Sequence, residues 1–167
     1  MFFRRTPKPA SHPAGDPLQA LVQEHATDDD PEAQRLIVAV AGLLACVGHA
    51  DRNYNEAEQA YVRSALSRMQ ALLPEGVDAI CGVLAQQGAR IASVNPQAYT
   101  RELRERADLE LRREVLDVLV DLAAADGELS LAETDLLRRT TSALGLSQDD
   151  YLAAQQRHRD KLKLLQR

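Results

Sequence analysis

Two stretches of this chain, residues 44–62 and 119–137, carry one pattern at a shift of 75 positions (from 51 to 126). Leu44 answers to Leu119, Val47 to Leu122, Ala50 to Ala125, Asp51 to Asp126, Tyr54 to Leu129, Glu58 to Glu133 and Val62 to Leu137. In each copy apolar residues at three- and four-residue steps run up to an Ala-Asp pair. A short polar link follows, and a second periodic stretch opens with a glutamate. That spacing is one face of an α-helix, so each copy reads as a helical hairpin. A lone hairpin has nothing to bury its apolar stripe against, whereas two can cover each other. The expectation is a pair of hairpins, at 44–66 and 115–141, related by an approximate twofold axis around one core. Leu44, Val47, Val62, Leu119, Leu122 and Leu137 would be buried together.

The remaining sequence is helical in period as well. Asp16-Pro17, Asp30-Pro31 and Asn95-Pro96 each place an N-cap acceptor before a proline. The missing proline N–H costs nothing at the first helical position. From Pro31 the stripe is Leu36, Val40, Leu43, Leu44 and Val47; from Asn55 it is Ala57, Tyr61, Ala65 and Met69. Pro74-Glu75-Gly76 reads as a break, followed by a helix through Val77, Ile80, Cys81, Leu84 and Ile91. Residues 95–125 read as two helices, or as one with a bend, through Leu103, Leu111, Val115, Val118, Leu119 and Leu122. The helix from Ser130 stops at Gly145, and Ser147 caps a last one with Asp149 and Asp150 in its first turn. No segment has a strand period. The fold class is all-α: a single bundle of about seven or eight helices over 17–167, after a flexible arm at 1–16 rich in proline.

Composition narrows the partners. A net charge of -5 gives no electrostatic footprint for nucleic acid. With no Trp, and both Phe residues at positions 2 and 3, there is no base-stacking platform either. Cys46 and Cys81 lie in apolar helical stretches without CxxC spacing and read as free thiols in a reducing compartment. The opening MFFRRTPKP lacks the apolar core of a secretory signal. The apolar run at 36–48 is shorter than the roughly 18 residues of a membrane span. A soluble cytoplasmic protein that contacts another protein is the expectation, with no transmembrane segment.

The acidic links between paired helices are the candidate site. They are not EF-hands: counting from Asp51, Glu56 stands where the loop glycine belongs and Val62 where the bidentate glutamate does. From Asp126 those two places hold Leu131 and Leu137. Ser130 and Glu133 form an S-x-x-E capping box, and Asn55 and Glu58 its variant. Capping accounts for both glutamates. It leaves Asp51 and Asp126, which sit at helix C-termini where the dipole disfavours an anion and a compensating partner is needed. Asp51, Glu58, Asp126 and Glu133 are therefore candidate ligands for Ca2+ or another divalent cation, with Asp51 facing Glu58 and Asp126 facing Glu133. The alternative is two capped turns and no ion. Among other candidates, His49 reads as a cationic C-terminal cap, and His12 and His25 as surface residues. His158 falls in a solvated basic end, and Asp117 and Asp121 form an exposed acidic strip with Glu114. No Gly-rich phosphate loop, G-x-S-x-G elbow or H-E-x-x-H motif occurs, so no nucleophile or cofactor site points to an enzyme.

The segments AAADGELSLAE, LLRRTTSALGLS and ACVGHADRNYNEAE together resemble the two hairpins of the TerB-like family. That family includes the tellurite-resistance protein TerB and the N-terminal region of the DjlA co-chaperone. The resemblance covers about residues 33–155, with Arg52-Asn53 where the family usually has glycine and a polar or acidic residue. It implies an all-α fold, divalent-cation binding at the acidic elbows, and a role in tellurite, envelope or metal stress without catalysis. No His-Pro-Asp tripeptide of a J domain occurs. A purely structural protein–protein adaptor and a metal-dependent hydrolase are the other two readings.

Overall fold

The computed structural model describes residues 16–127 and 129–166. The arm expected at 1–16 lies outside them except for Asp16, as does Glu128. The described residues form eight helices in order: α1 (Pro17–His25), α2 (Pro31–Gly48), α3 (Glu56–Ser67), α4 (Pro74–Val94), α5 (Pro96–Arg106), α6 (Leu109–Ala123), α7 (Leu131–Ala143) and α8 (Gln148–Leu165). Among the described residues no strand forms, and one isolated bridge joins Ala26 to Leu72. The fold is all-α.

The helix starts follow from their caps, except at α4 and α5, where Leu73 and Asn95 make no side-chain cap bond. Asp16 accepts the Leu18 N–H at 2.9 Å and Asp30 that of Glu32 at 3.0 Å. Asn95 makes no such bond, because the end of α4 and the start of α5 fall on this one residue and pull its backbone to φ -158, ψ 68. Asp108 caps Leu111 at 2.8 Å, which divides residues 95–125 into two helices. Pro74 is not part of a break: it occupies the first turn of α4, where proline is well tolerated. Gly145, at φ +72, ends α7 as expected.

α2 is the centre of the bundle, with every residue from Ile37 to Gly48 except Val40 buried. Counted from Pro31 it spans 18 residues at a hydropathy of 1.4, so by length and composition it could cross a membrane, contrary to the shorter run counted from Leu36. Here its apolar sides are taken up by α1, α4, α5 and α6. Leu44, Val47, Val62, Leu119, Leu122 and Leu137 belong to one cluster, none more than 1% exposed. The two hairpins, α2–α3 and α6–α7, thus share a core. Both cysteines are free thiols.

The C-terminal helix departs from the sequence expectation. Arg157 makes paired bonds to Asp117 at 2.7 and 3.1 Å, and His158 Nδ1 lies 2.7 Å from Asp121. Lys161 donates to the other Asp121 oxygen at 2.9 Å, and the Tyr61 hydroxyl approaches it at 3.3 Å. Of the acidic strip on α6, Glu114 is exposed, whereas Asp117, Asp121 and the part-buried His158 belong to the polar seam that docks α8 on α6.

Candidate metal centre

The first elbow leaves α2 at His49, turns through Arg52 in the left-handed region (φ +62), and enters α3 at Asn55. Asp51 Oδ1 accepts the Asn53 N–H at 3.0 Å. The second elbow leaves α6 at Ala124, turns at Gly127 (φ +90), and enters α7 at Ser130. Both aspartates lie past the last helical residue rather than on it, so the helix dipole bears on them less than the sequence suggested.

Both capping boxes form. Asn55 Oδ1 accepts the Glu58 N–H at 2.9 Å, and Glu58 Oε2 accepts the Asn55 N–H at 3.0 Å. Ser130 Oγ accepts the Glu133 N–H at 3.1 Å, and Glu133 Oε2 accepts the Ser130 N–H at 3.1 Å. The box uses one oxygen of Glu58. The other, Oε1, is buried with no hydrogen-bond partner. A buried acceptor left unmade costs roughly 1–3 kcal/mol, more when charged.

The two elbows meet. One carboxylate oxygen each from Asp51, Glu58 and Glu133 lie within 4.8 Å of one another. Glu58 is fully buried and Glu133 is 1% exposed. Asp126 stands beside this trio, its Oδ2 receiving the Asn55 side-chain amide at 3.1 Å across the two hairpins. The expected pairing within each elbow holds for Asp51 with Glu58. In the second elbow burial first, and the charge of Asp126 after it, raise the pKa of Glu133, and Glu133 also meets Asp51 of the other hairpin, their carboxylate oxygens within 4.8 Å. Three acids that the sequence assigns to two separate elbows meet at a single place, with Asp126 beside them.

Their mutual cost is visible in their acidity. Burial pushes Glu58 up to about 7, with the charges of Asp51, Glu133 and Asp126 adding to it and the Asn55 N–H opposing. Glu133 is raised to about 7 in the same way, by burial first and then by Asp51 and Asp126. A cation would relieve both the repulsion and the orphaned oxygen. An all-carboxylate donor set suits a hard cation such as calcium, magnesium or manganese and lacks the nitrogen or sulfur ligands typical of zinc. The residues fit such an ion.

Sequence reasoning missed two contributors. Asn55 can cap its helix and also reach Asp126, because an amide carries a donor that serine could not extend so far. His49 stands at the C-cap of α2, but its side chain turns to α4: its Nε2 lies 2.8 Å from the Leu84 carbonyl, and its ring packs on Tyr54 with centroids 4.5 Å apart. His25 meets its expectation less fully, since its side chain is only 20% exposed.

Residues 37–156 match the family model described as tellurite resistance protein TerB. No curated protein and no solved structure matches the chain.

Proposed function

Because this chain belongs to the TerB family, we propose that it is a non-enzymatic module that holds a divalent cation between its two acidic elbows. It would act through protein contacts in a cytoplasmic response to tellurite, envelope or metal stress. The observation that carries the cation reading is the buried, unpartnered Glu58 Oε1 inside a cluster with Asp51 and Glu133. A plain turn has no reason to bury two carboxylates beside a third, since like charges a few ångströms apart repel. The stress context rests on family membership alone. A protein partner is supported by an apolar cleft of about 390 Å3 lined by Val40, Leu44, Leu66, Met69, Leu111 and Val115.

The test is thermal unfolding of the full chain with calcium, magnesium or manganese added in turn. An ion at about 100 times its dissociation constant adds roughly 2.7 kcal/mol to stability. Glu58→Gln keeps the capping box but removes the buried carboxylate with the unpartnered oxygen, so it should abolish that increment. Melting curves indifferent to all three ions, together with a silent Glu133→Gln, would sink the cation reading.

The adaptor reading has its own support in the two completed capping boxes, which are sufficient to shape the elbows. Under it, no ion changes the melting temperature. No observation favours a metal-dependent hydrolase.

A further inference from the structure

We propose that His49 is a positioning residue for the cation site, fixing the first elbow in its ligating shape by locking onto α4 at Gly88. This rests on the cation reading and goes beyond it, since His49 is not a ligand.

Three contacts make the lock. The His49 Nε2 lies 2.8 Å from the Leu84 carbonyl. A carbonyl only accepts, so Nε2 carries the hydrogen. One turn further along α4, a Cβ on Gly88 would stand 2.1 Å from that same nitrogen. Any other residue there would expel the ring. Glycine inside a helix is disfavoured relative to alanine, so its place in a 21-residue helix needs a reason, and the imidazole supplies it. On the other side of the ring lies Tyr54, which also covers Gly48, where a Cβ would come within 2.8 Å of the tyrosine ring.

His49 and Tyr54 thus close the two ends of the first elbow on each other and onto α4. Asp51 lies between them, and Asn55, which caps Glu58 and bonds Asp126, follows directly. The second elbow has no counterpart: the positions equivalent to Gly48, His49 and Tyr54 are Ala123, Ala124 and Leu129, with no ring or polar group to lock. The first elbow is the prebuilt half of the site. Holding ligands in the bound geometry removes the ordering cost that binding would otherwise carry.

Calorimetric titration of calcium chloride, and of manganese chloride in parallel, into the full chain tests this. The proteins compared are the wild type, Gly88→Ala, His49→Ala, His49→Gln and the double variant His49→Ala/Gly88→Ala, with circular dichroism reporting the fold. Gly88→Ala should weaken binding about 10- to 100-fold, the usual effect of losing an outer partner of a metal site. It should do so although alanine favours the helix, which keeps the test valid should His49→Ala fail to fold. His49→Ala should weaken binding to the same degree, and the double variant no further, because the ring that the added methyl group on α4 would displace is already gone. His49→Gln, which can still donate to Leu84, should recover part of the loss. A wild type that binds while Gly88→Ala and His49→Ala bind equally well overturns this inference alone, even if both melt earlier. A wild type that binds neither ion overturns the cation reading and this inference with it.

Discussion

Glu58 divides its two oxygens between opposite tasks. Oε2 closes a helix cap, and Oε1 is buried with no protein donor. The consequence is a definite pH dependence. Glu58 and Glu133 are raised from 4.5 to about 7, so the folded chain holds their protons more tightly than the unfolded chain does. Proton binding then favours the fold: this contribution is fully present below about pH 4.5 and is lost as pH rises through about 7. Ion-free protein should therefore melt at a lower temperature at pH 8 than at pH 5.5. Calcium competes with those protons, so its stabilising effect should be largest at pH 8 and small at pH 5.5. Glu58→Gln should flatten part of the ion-free dependence while preserving the cap. Scanning calorimetry at several pH values, with and without calcium, decides this. A flat ion-free profile would mean that the cluster is hydrated and relaxed, leaving nothing for a cation to relieve.

Among the elements, caps were the most legible part of the sequence, because their chemistry is local. Asp16, Asp30, Asn55, Ser130 and Ser147 each accept the expected backbone N–H. Asn95 fails for a reason outside its own motif, since two helices compete for one residue. Longer-range pairings were not legible. The bonds of Arg157, His158 and Lys161 to Asp117 and Asp121 join helices about 40 residues apart, and only their docking register brings them together. The same holds for His49, whose partner Leu84 belongs to neither hairpin. Capping can be separated from bridging by substitution. Ser130→Ala should cost about 1 kcal/mol with or without an ion. Asn55→Ser keeps the cap but loses the amide bond to Asp126, an exposed bond worth about 0.5–1 kcal/mol. Chemical denaturation of the two variants checks both values. An Asn55→Ser protein as stable as the wild type would show that the elbows are not held together by this amide.

At the scale of the whole molecule, the repeat foretold that two hairpins share a core, and the buried cluster of Leu44, Val47, Val62, Leu119, Leu122 and Leu137 has that form. It did not foretell that the elbows converge. A duplicated motif suggests two equal sites, whereas Asp51 and Glu58 from one hairpin and Glu133 from the other contribute to the same cluster. That difference can be counted. A site shared between halves should take one ion per chain, and Asp51→Asn or Glu133→Gln should each remove the whole of the binding. Two independent elbows would take two ions, and either substitution would leave one behind. The shared site also makes the ion a clamp, because each hairpin then supplies ligands that the other needs. Amide exchange should therefore slow at residues of both elbows on ion binding, and a single substitution in either hairpin should cancel the protection in both. Protection confined to the elbow that was left intact would show that the two halves bind separately.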